Sequence, residues 1–106
     1  MTNKKILRLL GLCTKAGDIC FGTDACIDLI LRKKVKLIIV AQDASERTKR
    51  NLEFVCKEND IKIIFFGTIE EISRAIGKDN KAVIGIKNKN FALEIEKIIN
   101  GGEAIG

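Results

Sequence analysis

The side chains that offer acid–base chemistry in this chain are Asp24, Asp28 and Asp43, and its thiols are Cys13, Cys20, Cys26 and Cys56. Neither set has the partners its chemistry requires. The sequence contains no histidine, so serine–histidine and cysteine–histidine nucleophile pairs are excluded, as are histidine metal sites. The side chain that ordinarily titrates near neutral pH is missing with it. No two cysteines are spaced as C-x-x-C, the spacing of zinc sites and thioredoxin-like redox motifs. A carboxylate or lysine remains as an acid or base, but no nucleophile–base pair or metal cluster is present in the pattern. The expectation is therefore a non-catalytic protein without a metal or cofactor.

Phosphate loops and phosphoacceptors fail for equally specific reasons. Gly11 and Gly17 do not form G-x-G-x-x-G, and G-x-x-x-x-G-K-[ST] does not occur. Asp43 follows an apolar run of strand length, as the phosphoacceptor of a receiver domain does. Holding magnesium there would take further carboxylates at the end of the first strand, where Cys20-Phe21-Gly22 stands. What remains is charge. Nineteen basic against fourteen acidic residues give a net charge of +5 and an isoelectric point near 9.1. That balance suits a polyanion, because Lys and Arg bound to phosphates release counterions. No apolar run approaches 18 residues, so no membrane span is expected. Met-Thr-Asn-Lys-Lys leads directly into an amphipathic helix rather than a secretory signal. The expected location is the cytoplasm, with reduced cysteines serving as small core hydrophobes.

The elements that must position these charges follow from periodicity. Ile6, Leu9, Leu10 and Cys13 recur at i, i+3, i+4, i+7, predicting a helix over 4–16 that Gly17 caps. Ile19-Cys20-Phe21 reads as a short strand ending at Gly22. Thr23 offers its hydroxyl as N-cap to a helix over 24–34, buried through Cys26, Leu29 and Ile30. The run 36–41 is continuously apolar after Lys36, the pattern of a strand covered on both faces. Asp43 or Ser45 caps a helix over 45–59, and 61–66 reads as a second buried strand. Thr68 and Glu71 have capping-box spacing for a helix that stops at Gly77. A last strand covers 82–86, and Phe91, Ala92, Ile95, Ile98 and Ile99 mark a final helix. The alternation implies an α/β fold with helices on both faces of a sheet. One domain over 1–100 is expected, followed by a flexible tail over 101–106.

Chain direction then locates a binding edge. The predicted second helix runs roughly 16 Å from Gly22-Thr23 before the next strand returns. Asp43 to Arg47, and by the same logic Gly67-Thr68, should lie at the same end as Gly22. Helix N-termini gathered there present backbone N–H groups and positive dipole ends to anions. The densest basic run, Arg32-Lys33-Lys34-Val35-Lys36, falls at the opposite end, where cations complement a helix C-terminus. Arg47, Lys49 and Arg50 are better placed for phosphate, with a solvated helix face as the alternative.

Leu9-Leu10-Gly11-Leu12-Cys13-Thr14-Lys15-Ala16-Gly17 followed by Gly22-Thr23 resembles the opening of the bacterial YlxQ-like branch of the L7Ae family of kink-turn-binding ribosomal proteins, to which the L30e proteins are related. The similarity continues through 35–41, Asp43-Ala44-Ser45, 72–78 and 82–86, in order along nearly the whole chain. It implies a three-layer αβα sandwich with a four-stranded mixed sheet. It also implies recognition of a kink-turn, a sharply bent RNA duplex with tandem sheared G·A pairs. In such proteins the N-terminus of the second helix enters the opened major groove while the loop before the last strand covers the bend. The positions carried over are Gly22, Thr23, Asp24, Ala25 and Asp28, with Gly77, Lys78 and Lys81 in the second loop. The usual opening of that helix is Gly-Thr-Asn-Glu-x-x-Lys. Here Asp24 replaces the amide, Ala25 the glutamate and Asp28 the lysine, so two carboxylates face the RNA or, alternatively, stabilise the helix start through its dipole.

The expected function is binding of structured RNA by a ribosomal or ribosome-associated monomer, with kink-turn-like RNA as partner. The alternative is a protein-interaction module of the translation or transcription machinery, contacting the ribosome or transcription factors, that keeps the fold without kink-turn specificity.

Overall fold

Leucine and β-branched residues concentrate in short runs, and these runs build the sheet. The computed structural model describes residues 3–101. Its elements are α1 (Lys4–Lys15), β1 (Ile19–Phe21), α2 (Thr23–Leu31), β2 (Leu37–Val40), α3 (Glu46–Glu58), β3 (Lys62–Phe65), α4 (Ile69–Ile76), β4 (Val83–Ile86) and α5 (Lys89–Ile99). The alternation matches the periodicity of the sequence. The sheet order is β1-β4-β2-β3. β2 and β3 are parallel, whereas β4 lies between β1 and β2 and runs antiparallel to both. The architecture is thus a three-layer αβα sandwich on a four-stranded mixed sheet.

Strand alternation divides the core in two. Leu37, Ile39, Ile84 and Ile86 face α1, α4 and α5, meeting Ile6, Leu10, Ile72 and Ile95. Ile38, Val40 and Val83 face α2 and α3, meeting Cys26, Ile30, Leu52 and Cys56. All four β2 side chains are fully buried, each contributing roughly 1.5–3 kcal/mol of apolar burial.

Several boundaries differ from expectation. Gly22, not Thr23, is the N-cap of α2: the Gly22 carbonyl accepts the first helical bond from the Cys26 N–H at 3.0 Å, which places Thr23 inside the helix. The same helix stops at Leu31 rather than reaching residue 34, because Lys33 turns into the left-handed region at φ 58°. Leu29 is half-buried, not part of the core. β3 is an edge strand with Lys62 exposed and only Ile64 buried, not a strand covered on both faces. Between the two candidate caps of α3, Ser45 accepts the Thr48 N–H at 3.1 Å. Asp43 reaches elsewhere, to the Ile69 N–H at 2.8 Å, and so ties the β2–α3 turn to the start of α4. Thr68 and Glu71 form the expected reciprocal capping box. Of the tail expected over 101–106, positions 102–106 lie outside the described residues.

Candidate functional site

The strand directions bring one set of turns together. β1, β2 and β3 run the same way and β4 runs against them, so the C-terminal ends of the first three strands share an edge with the loop that enters β4. Hydrogen bonds across that edge show the closure: Gly22 N–H to the Val83 carbonyl at 2.9 Å, Ala41 N–H to Ala82 at 2.8 Å, and Gln42 N–H to Gly67 at 2.8 Å. The N-termini of α2, α3 and α4 therefore gather as the sequence predicted, and Gly77 to Lys81 joins them.

The helix starts of this fold are not equivalent. Asn3, Ser45, Thr68 and Asn88 cap α1, α3, α4 and α5 with side-chain acceptors. α2 begins at Gly22 with no side-chain cap. First-turn N–H groups have no partner within the helix, so Thr23, Asp24 and Ala25 present theirs beyond a residue that has no side chain to shield them. Gly22 has φ 98° and ψ 144°, a conformation essentially restricted to glycine. A Cβ built there meets nothing within 4 Å. The backbone at this corner is open to close approach.

The second loop is held against that corner. Gly77 ends α4 in the left-handed conformation, and the Lys78 N–H returns to the Ser73 carbonyl at 2.8 Å. Ser73, only 4% exposed, accepts the Lys81 N–H at 2.7 Å. Asn80 takes a positive φ between these anchors. The result is that Lys78 Nζ stands 4.9 Å and Lys81 Nζ 5.7 Å from the centre of the Phe21 ring. Such cation–π contacts hold ammonium groups near a surface without neutralising them. Two cations are thereby stationed over the residue that immediately precedes Gly22. An open groove of about 650 Å³ extends from this loop, lined by Asp43, Ser73, Arg74, Lys78 and Asn80 among others.

The remaining sequence-predicted positions divide. Asp24 and Ala25 are exposed in the first turn of α2. Asp28 lies a turn later and pairs with Arg32 at 3.3 Å, both side chains being more than half exposed. Its charge is therefore directed along the helix toward its C-terminus. Arg47 is exposed in the first turn of α3, at the same edge. The structure thus brings Gly22, Thr23, Lys78 and Lys81 together and draws Asp28 away. Phe21 and Ser73 were missed by sequence reasoning. A signal existed for Ser73, which interrupts the apolar stripe Ile69, Ile72, Ile76 on the buried face of α4. Phe21 carries none, since its neighbours come from a loop more than fifty residues away.

Comparison with known proteins identifies the family and the fold. A family model, the ribosomal protein L7Ae/L30e/S12e/Gadd45 family, matches residues 4–95. The chain belongs to this family. It is 33% identical over 98 residues to the RNA-binding protein YlxQ of Enterococcus faecium, covering 92% of this chain and 94% of that one. A solved structure of a protein of unknown function from Bacillus halodurans superposes with a TM-score of 0.89 at 31% identity, covering 92% of this chain and 99% of that chain. The Giardia lamblia 15.5kD RNA binding protein shares the fold, with a TM-score of 0.76 at 21% identity over 100% of this chain and 94% of that chain. The bacterial relatives fit the YlxQ-like branch indicated by the opening motif. Among the described residues no helix is long and apolar enough to cross a membrane.

Proposed function

We propose that this L7Ae-family protein binds structured RNA without catalysis, using the Gly22 corner and the Gly77–Lys81 loop as a two-part surface for a kink-turn or a similarly bent duplex. The observation that carries this reading is the juxtaposition of an uncapped helix start with two lysines held over Phe21. Free N–H groups at Thr23 to Ala25 suit phosphate or base acceptors, and they act only if the partner approaches the backbone closely. A duplex major groove of A-form RNA is too narrow for a helix end, so a site widened by a bend is what this edge fits. Lys78 and Lys81 then meet the phosphates that a sharp bend crowds together. The protein selects the bent conformer and shifts the RNA population toward it. Arg47 adds a cation at the rim of the same edge, and Asp24 faces guanine amino groups rather than phosphate. The RNA is ribosomal or ribosome-associated in this reading.

A gel-shift titration against a kink-turn duplex, and against the same duplex with its G·A pairs replaced, tests this at two salt concentrations. Binding that requires the G·A pairs is the expected outcome. Equal binding to both duplexes overturns kink-turn selectivity. Absent binding to both favours the protein-interaction reading, for which the exposed carboxylate of Asp24 at the helix start is the specific support.

A further inference from the structure

Cys20 and Cys26 stand on either side of the Gly22 corner, one on edge strand β1 and the other early in α2. Strand alternation turns Cys20 away from Phe21 and into the layer formed by α2 and α3. Its sulfur lies 3.5 Å from that of Cys26. Cys20 is partly exposed, whereas Cys26 is fully buried and also points toward the Cys20 and Val83 carbonyls at 3.8 and 3.9 Å. The hydrogen bond from Cys26 holds the Cys20 thiol below its usual range. The Gly85 backbone and the charge of Lys87 act in the same direction, and burial opposes them. The same hydrogen bond, together with burial, pushes Cys26 up. Cys13 and Cys56 are different: burial pushes each up to about 11, with Asp18 adding to the effect at Cys13. Thiolate character governs thiol reactivity, so Cys20 is the thiol of the four suited to react first.

We propose that Cys20 and Cys26 are a thiol oxidation site, which a hydroperoxide converts to an intramolecular disulfide that clamps the Gly22 corner. The Cys20 thiolate attacks one oxygen of hydrogen peroxide, the O–O bond breaks, and the departing hydroxide takes up a proton as water. Cys20 is left as a sulfenic acid. The Cys26 sulfur then loses its proton and attacks the Cys20 sulfur, the S–O bond breaks, and a second water leaves. Two thiols are oxidised by two electrons and one peroxide is reduced by two.

The consequence is geometric. A disulfide spans about 2.05 Å, so the two sulfurs must close by about 1.5 Å. The ring so formed runs through Phe21, Gly22, Thr23, Asp24 and Ala25, the segment that presents the open N–H groups. Cys26 also gives up its contact with the Val83 carbonyl, the same carbonyl that accepts the Gly22 N–H. The start of α2 is therefore displaced against the Lys78–Lys81 loop. That oxidation weakens RNA binding rests on the reading proposed above; the thiol chemistry does not.

The full chain is treated with hydrogen peroxide, unfolded, alkylated and examined by mass spectrometry. The expected product has lost two hydrogens, contains one linked Cys20–Cys26 peptide, carries alkyl groups on Cys13 and Cys56, and reverts with dithiothreitol. Four alkylated thiols, or a bond involving Cys13 or Cys56, overturn the proposal. Cys20→Ser must abolish the product, and in Cys26→Ser the sulfenic acid on Cys20 must persist long enough to be trapped by dimedone. Oxidised protein is then titrated with the kink-turn duplex, with an affinity loss on the order of tenfold expected and recovery after reduction. If the reduced chain binds no RNA, the function proposed above fails while the disulfide result still decides the thiol site. If it binds and the disulfide leaves affinity unchanged, the clamp has no control over the corner.

Discussion

Both ends of the sheet carry a cluster of cations, and the two clusters are built differently. At the end where β4 begins, Lys78 and Lys81 come from a loop anchored by Ser73 and Gly77, and both lean on Phe21 beside an uncapped helix start. At the other end, Arg32, Lys33, Lys34 and Lys36 surround the end of α2, where their charge complements the helix dipole. Arg32 there is already paired with Asp28. The second cluster has more charge and less organisation. Neighbouring N–H donors, a glycine corner and held side chains convert charge into a candidate site; density of lysine in the sequence does not.

The sharpest way to break this contrast is Gly22→Val. A branched side chain at φ 98° should cost about 1–3 kcal/mol of stability, read by urea unfolding. In protein that circular dichroism shows to be folded, RNA affinity should fall on the order of tenfold, or ~1.4 kcal/mol, because the side chain fills the open approach. Unchanged affinity would remove the corner from the interface. Next in size, replacing Lys78 and Lys81 together by alanine should reduce the slope of log affinity against log salt by about 1–2, as expected for two phosphate contacts. Gel shifts at several salt concentrations measure it directly.

Ser73→Ala sharpens the comparison by acting on the loop without touching its charge. It leaves the Lys81 N–H without its buried acceptor, at a cost of about 1–3 kcal/mol of stability. RNA affinity should drop less than in the double lysine variant, with the salt slope retained. A flattened slope in this variant would show that the lysines have been lost along with their positioning. The smallest effect belongs to the opposite end. Alanine at Lys33, Lys34 and Lys36 should alter kink-turn affinity by no more than about twofold, since these charges lie outside the counterion-releasing contact. A slope change equal to that of the Lys78–Lys81 pair would erase the distinction between the two ends.

Much of this arrangement is legible along the chain. The apolar run over 37–41 declares a strand buried on both faces, and the stripes through Ile6 and Leu10 or Ile72 and Ile76 declare helices, because these patterns are local consequences of backbone period. Strand and helix lengths then require the turns at Gly22, Asp43 and Thr68 to share one end. Local signals also misled where two neighbouring residues competed for one role. Thr23 has the better capping side chain, yet Gly22 supplies the carbonyl, and Asp43 left α3 to bind the Ile69 N–H across the edge.

The amino-acid order by itself determined the alternating α/β class, the elements and their direction, and the resemblance to the L7Ae family. Only the tertiary structure decided that β4 inserts between β1 and β2, since register between distant strands is set by packing on both faces rather than by any one run. That insertion carries the Gly77–Lys81 loop to Gly22 and seats two lysines on Phe21. The site depends on contacts between residues far apart along the chain, and their proximity is a property of the folded sheet.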